Sequence, residues 1–300
     1  MVDGALLLDK PVGISSNRAL QEARKLYGAK KAGHAGTLDP LASGLLVVLF
    51  GEATKFAGPL LDDDKEYLAT LKLGEKTSTG DAEGEVIETR PAGVSQAELA
   101  TALQRFTGEI EQVPPMHSAL KRDGVPLYEL ARQGKTVARA ARRVRISVLE
   151  MIEFKPPHAQ LRVRCSKGTY VRTLAEDIAE ALNTCAHLSG LRRIASGRLG
   201  IGDAVTLDAL ASMSQSLRAQ HLLPLSALLA GLPRAELDAD EEARFRNGQT
   251  LKAFSERGLC AVYASNGSVI GLGEGGPAGL LRPLRLIAAS QAADKHRKTL

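Results

Sequence analysis

Residues 33 to 44 of the chain read Gly33-His34-Ala35-Gly36-Thr37-Leu38-Asp39-Pro40-Leu41-Ala42-Ser43-Gly44, one carboxylate and one imidazole set among glycines. A carboxylate kept ionised in a dry pocket can act as a nucleophile. Pro40 disfavours the helical region for Asp39 and is itself suited to a first helical position, so Asp39 projects from a change of chain direction. The same facts fit a helix N-cap or a turn, and spacing alone leaves these readings open. His34 likewise fits a hydrogen-bonded loop residue as well as a functional one. A second cluster, Ser166-Lys167-Gly168-Thr169-Tyr170-Val171-Arg172-Thr173-Leu174, gathers Lys, Tyr and Arg where a strand hands over to a helix, a junction suited to meeting an anion. GxSxG, HExxH, a Walker loop and metal-ligand pairs are all absent from the sequence, which argues against a serine hydrolase, a zinc protease and an NTPase. Two classes stay open: a cofactor-free enzyme built on one carboxylate, and an RNA-binding protein without chemistry.

The elements that must position these residues are legible in outline. Residues 5–8 form a short strand ending in the turn cluster 9–13, and a helix starts at Ser15 or Ser16 and stops at Gly28. Residues 33–44 read as a loop feeding a buried strand over the apolar run 45–50, followed by a short helix up to Leu61. Residues 65–73 alternate, placing Tyr67, Ala69, Leu71 and Leu73 on one face, so Tyr67 points into the core or into a cleft. The polar run 77–84 fails the calcium-loop spacing and reads as solvated loop. A helix over 95–106, a strand over 108–113, a hairpin around Asp123-Gly124, a helix over 127–132, strands over 144–154 and 159–165 and a helix up to Leu182 follow. Residues 183–190 read as a loop before a strand from Leu191, and 207–229 as a helical region divided at Pro224. Beyond a boundary near Pro233 come an acidic helix over 238–247 and short strands over 259–287 with the texture of a small β-barrel. Gly271 to Gly276 spells GxGxxG, but no helix signal follows and Pro277 ends the run, which rejects a nucleotide fold.

With 300 residues, 44% of them hydrophobic, the chain can bury a large domain and a small one. The longest uncharged apolar run, 45–50, is far too short to span a bilayer, and no basic leader opens the chain, so a cytoplasmic protein without membrane contact is expected. Cys165, Cys185 and Cys260 are widely spaced without a CxxC, which predicts reduced thiols and no metal site. The net charge of +5 is concentrated: between 121 and 145, Lys121, Arg122, Arg132, Lys135, Arg139, Arg142, Arg143 and Arg145 face only Asp123 and Glu129. An acidic stretch over 61–90 compensates, a polarity that suits one polyanion-binding face.

Six ordered blocks give the chain a family resemblance: Leu7-Leu8-Asp9-Lys10-Pro11 with Gly13 and Ser15-Ser16, the 33–44 run, Gly51-Glu52-Ala53-Thr54-Lys55, Lys65-Glu66-Tyr67, Ser118-Ala119-Leu120-Lys121, and Cys165 through Thr173. Together these resemble bacterial tRNA pseudouridine synthases of the TruB type. The resemblance implies an α+β catalytic domain over 1–233, its mixed and largely antiparallel sheet flanked by helices, with a basic thumb-like insertion over 118–145. It further implies a small all-β PUA-like domain over 234–290 and a disordered basic tail over 291–300. By the same resemblance Asp39 is the nucleophile, paired with Arg172, and Tyr67 stacks on a flipped uracil and moves a proton at C5. His34 fills the space the base vacates, Tyr170 and Leu191 line the pocket, and Lys10 and Lys121 bind substrate. The implied protein needs no cofactor or metal, acts on the T arm of tRNA and touches the acceptor end, with a secondary tRNA-folding role; its oligomeric state is left open by the sequence, with a monomer assumed.

Overall fold

The computed structural model describes residues 2–118, 120–252 and 254–288. The expected tail over 291–300 lies outside these residues.

Two nearly continuous apolar runs form the centre. Gly4–Lys10 and Ala42–Phe50 pair antiparallel, Leu6 opposite Val48 and Leu8 opposite Leu46. Strands this apolar are stable only when covered on both faces. Leu46, Val48 and Phe50 pack with Leu20, Ala23 and Tyr27 of the helix Ser16–Tyr27, while Leu45, Val47 and Leu49 meet Ala53, Leu60 and Leu228. The helix begins where Ser15 caps the Arg18 N–H and ends at Gly28, whose φ of 61° is the left-handed conformation a glycine C-cap supplies.

These strands belong to an eleven-stranded mixed sheet. Its main order is Val205–Thr206, Gly4–Lys10, Ala42–Phe50, Ala186–Ser196, Lys65–Leu73, His158–Cys165, Arg142–Lys155 and Gly108–Gln112. Ala42–Phe50 runs parallel to Ala186–Ser196, and Gly4–Lys10 parallel to Val205–Thr206; the other neighbours are antiparallel. Alternation in Lys65–Leu73 places Ala69 and Leu71 in a second core with Leu99 and Leu103 of the helix Gln96–Arg105 and Leu174 and Ile178 of the helix Val171–Ala181.

Four expectations change. Residues 33–44 are not one loop, because Ala32–Ala35 is a strand paired with the end of Ala42–Phe50. The strand expected from Leu191 starts at Ala186, since the polar residues His187 and Ser189 pair with Lys65–Leu73 as readily as apolar ones would. The helical region 207–229 falls into Leu207–Ser212, Gln215–Gln220 and Leu225–Leu229, Ser214 acting as a fresh N-cap before Pro224. Residues 77–84 are folded against the sheet, with Thr77 and Asp81 3% exposed and Leu188 exchanging backbone hydrogen bonds with Gly80 and Ala82.

From Arg234 onward a five-stranded sheet runs Arg234–Leu237, Gly258–Ala264, Val269–Gly275, Leu280–Leu286 and Leu251–Lys252, with the helix Ala239–Arg246 opened by a capping box at Asp238 and Glu241. The GxGxxG run lies largely in the strand Val269–Gly275. Phe56 and Leu229 pack with Ala261, Tyr263, Val269 and Leu272, joining this sheet to the larger unit. Among the described residues no helix is long and apolar enough to cross a membrane.

Candidate active site

Asp39 stands on a turn whose every neighbour is held. The Ala42 N–H donates to the Asp39 carbonyl at 3.0 Å, with Pro40 in the second position of the turn, and the strand resumes at once. No helix follows, so the turn reading holds and the N-cap reading falls. The buried Ser16 hydroxyl donates to the Leu38 carbonyl at 2.9 Å and accepts from the Leu38 N–H at 2.7 Å. Gly13 N–H donates to the Pro40 carbonyl at 2.8 Å. The carboxylate itself remains 44% exposed, facing a cleft of about 920 Å³.

Arg172, the second residue of the helix Val171–Ala181, is 7% exposed and reaches the same cleft. Its Nη2 lies 3.0 Å from Asp39 Oδ2 and its Nη1 3.7 Å from Asp81 Oδ2. The same nitrogens donate to the carbonyls of His117 at 2.7 Å and Thr79 at 2.9 Å. The fork is therefore divided between two acids and two carbonyls instead of engaging Asp39 alone. Asp81 is in turn fixed by the Thr79 hydroxyl at 2.6 Å and the Glu83 N–H at 3.1 Å.

Tyr67 and Leu191 come from adjacent strands. Leu191 pairs with Ala69 and, on its other side, with Ala42, which follows the Asp39 turn. Tyr170 immediately precedes its helix, its backbone gripped by Gln112, whose side chain accepts from the Tyr170 N–H at 2.8 Å and donates to its carbonyl at 3.1 Å. Burial pushes both phenols above the usual tyrosine range, opposed at Tyr67 by Arg193 and at Tyr170 by the Ser118 hydroxyl, so both stay protonated at neutral pH. His34 sits in the strand Ala32–Ala35 opposite Val48, and burial, then Arg193, pushes its pKa below the ordinary value, leaving the imidazole neutral at pH 7. Cys165 also lines the cleft, but burial pushes its thiol up to about 12, which makes it unreactive.

The structure thus brings six of the expected residues, Asp39, Tyr67, Arg172, His34, Tyr170 and Leu191, to one cleft. Two it does not. Lys10 is fully buried, its ammonium donating to the carbonyls of Pro11 at 2.8 Å and Ile14 at 2.7 Å, and burial lowers its pKa to about 8. It therefore shapes the turn that carries Gly13 and offers no surface to a substrate. Lys121 is exposed on the hairpin of Lys121–Arg122 with Val125–Pro126, off the cleft wall. Sequence reasoning missed Asp81, hidden in a run that looks like solvated loop, and Arg193, whose strand position carries no signal of its own. Lys65, which opens one of the six family blocks, braces the chain below the cleft: its ammonium caps the carbonyls of Leu60, Leu61 and Asp63 at 3.0, 2.8 and 2.6 Å. From the basic insertion Tyr128 and Arg132 reach the cleft, the guanidinium 5.4 Å from the ring centroid.

Chemically, the cleft offers a carboxylate paired with a cation, two neutral phenols and an apolar wall. That suits nucleophilic attack by Asp39 on an electrophilic carbon of a substrate held against the apolar wall. The overall fold is similar to that of a Cbf5-Nop10-Gar1 complex (TM-score 0.72, 25% identity, 95% of this chain and 84% of that one) and to that of an H/ACA RNP bound to a substrate RNA containing 2'-deoxyuridine (TM-score 0.69, 24% identity, 91% and 78%). Residues 24–171 match the profile "TruB family pseudouridylate synthase (N terminal domain)", 172–230 "tRNA pseudouridylate synthase B C-terminal domain", and 233–287 "Pseudouridine synthase II TruB, C-terminal". A protein of Burkholderia mallei named tRNA pseudouridine synthase B is 53% identical over 294 residues, covering 95% of this chain and 97% of that protein. One of the same name from Dechloromonas aromatica is 52% identical over 287 residues, covering 95% and 96%. The class is that of enzymes that isomerise uridine in RNA, with a mixed α+β catalytic sheet and a PUA-like β unit at the C-terminus. Within it, the chain belongs to the TruB family of pseudouridylate synthases.

Proposed function

We propose that the protein converts uridine to pseudouridine in tRNA, at position 55 of the T loop, with Asp39 as nucleophile. The observation that carries this reading is the 3.0 Å pair of Asp39 with Arg172 on a braced turn at the mouth of the cleft. The guanidinium sets a positive charge directly against the carboxylate. Attack at C6 of the base or at C1′ of the ribose both start from that ion. The N1–C1′ bond breaks with its electron pair left on N1, the base turns, a C5–C1′ bond forms, the bond to Asp39 breaks and returns the free carboxylate, and C5 gives up its proton while N1 takes one from it or from solvent, so no cofactor is needed. Extruding the base costs a few kcal/mol, which contacts elsewhere on the RNA must offset.

In this reading Tyr67 stacks on the flipped uracil and moves the C5 proton, Tyr170 and Leu191 hold the base, and His34 fills the vacated stack. A neutral imidazole suits that last role, since it can donate and accept. The basic segment 118–145 acts as a thumb on the T arm, supported by Tyr128 and Arg132 in the cleft. Residues 234–288 form an RNA-binding domain for the acceptor end. The protein works as a cytoplasmic monomer and also assists tRNA folding.

Tritium release from tRNA labelled at C5 of uridine is the test. Wild type releases tritium and Asp39→Asn binds tRNA with unchanged affinity but releases none. Release by Asp39→Asn at the normal rate returns Asp39 to being a turn residue. A wild type that binds without release makes the protein a binding module.

A further inference from the structure

Among the described residues the largest fully buried side chain is a cation that no acid pairs with there. Arg193 is 1% exposed, in the strand Ala186–Ser196. Enclosing a guanidinium without a carboxylate is costly, and an apolar residue would suit an interior strand better. What it touches is informative. Its Nε donates to the Leu45 carbonyl at 2.7 Å and its Nη2 to the Gly36 carbonyl at 3.0 Å. Those carbonyls flank the Asp39 turn, one at each end. Along the sheet, Arg193 stands opposite Gly44 on one side and opposite Tyr67 on the other. Directly opposed residues of neighbouring strands carry their side chains on the same face, about 5 Å apart.

The two glycines that bracket Asp39 pack against this residue, Gly36 on its guanidinium and Gly44 on its backbone. Gly36 has φ +95°, and a Cβ there would lie 3.2 Å from Arg193 Nη1. Gly44 has φ +97°, and a Cβ there would lie 2.2 Å from the Arg193 carbonyl oxygen. The loop is wrapped around Arg193.

We propose that Arg193 is a positioning residue that holds the Asp39 turn and the Tyr67 phenol in register from beneath the cleft, through one guanidinium. Asp39 arrives from a turn and Tyr67 from the strand Lys65–Leu73, and no hydrogen bond joins them, so their relative placement has to come from a third group. Arg193 is the group joined to both: hydrogen-bonded to the ends of the turn, and lying beside Tyr67 in the cleft wall. The fork donates to two carbonyls at once, Nε to one and Nη2 to the other, a geometry the single ammonium of lysine does not reproduce.

The inference rests on the proposed roles of Asp39 and Tyr67, which wild-type and Asp39→Asn tritium release test separately. Full-length Arg193→Lys is compared with wild type by single-turnover tritium release at saturating tRNA, tRNA affinity, and the ¹³Cζ resonances of the five tyrosines, assigned with Tyr67→Phe. The expected result is a rate lowered by roughly tenfold or more, affinity within about threefold, and a displaced Tyr67 resonance with those of Tyr128 and Tyr263 in place. A normal rate overturns the proposal, as does a lowered rate with an unmoved Tyr67 resonance, which would reduce Arg193 to scaffold. If Arg193→Lys does not fold, Gly36→Ala, whose methyl presses on Nη1, takes its place with the same expected pattern and the same overturning results.

Discussion

At the scale of single residues, the site depends on how charge is shared. Arg172 is enclosed and contacts Asp39 and Asp81 together, so removing it orphans a buried carboxylate at Asp81 as well as the exposed one at Asp39. Orphaning a buried charge costs about 3–5 kcal/mol, and the exposure of Asp39 argues for the lower end. Arg172→Met is therefore expected to lower stability by about 3 kcal/mol in denaturant unfolding and to abolish tritium release at saturating tRNA. Unchanged stability would mean that the Asp81 contact contributes nothing. Asp177, in the same helix, is a different case. Burial, then Glu176, pushes its pKa up to about 6. Because the folded state holds this proton more tightly than the unfolded one, its ionisation costs stability progressively as pH rises from about 4 through 6, and the full cost is present above 6. Asp177→Asn should stabilise the protein at pH 7 by about 1–2 kcal/mol, the partial exposure of the group screening its charge, and by nothing near pH 2–3. Equal effects at both pH values would rule out the ionisation as the cause.

At the scale of elements, the question is what makes a short turn rigid enough to aim a carboxylate. The Ser16 hydroxyl, in the first turn of the helix Ser16–Tyr27, satisfies both backbone groups of Leu38. Ser16→Ala leaves a buried N–H and C=O unpaired, at about 1–3 kcal/mol, and frees the residue before Asp39. We expect a lower single-turnover rate with tRNA affinity unchanged; a loss confined to affinity would show that Ser16 serves RNA binding instead. The glycines here answer to packing: Gly36 and Gly44 have positive φ and face Arg193, which gives them a structural reason independent of any approach by RNA.

At the scale of the whole molecule, two sheets are joined by a small apolar seam, and the charge is uneven. Phe56 is fully buried at that seam, against residues of the five-stranded sheet and of the helix Leu225–Leu229. Phe56→Ala should cost about 3–5 kcal/mol and separate the unfolding of the two sheets in calorimetry; a single unshifted transition would show that the seam does not couple them. Arg142 and Arg143 are exposed at the start of the strand next to the sheet edge, within the basic segment. Replacing both by alanine should flatten the salt dependence of tRNA binding by a slope of about 0.7–0.9 for each phosphate that the two arginines neutralise. An unaltered slope would place the RNA on another face.

How much was legible follows from the range of the forces involved. Local interactions are written in neighbouring residues, so the Ser15 cap, the Gly28 stop, the Asp123-Gly124 hairpin with φ of 51° and 82°, and the alternation that turns Tyr67 inward were all readable from the chain. The family and its reaction were readable too, because six blocks in order are far more specific than any one loop. What only the tertiary structure decided were the pairings of residues distant in sequence. Asp81 could not be told from a solvated loop acid until Arg172 was seen beside it, nor Lys10 from a surface lysine until its carbonyl cage was seen. Arg193 meets Gly36, Leu45 and Tyr67 only because strands from three stretches of chain lie side by side. A sequence records which groups are available, and the sheet decides which of them share one desolvated space.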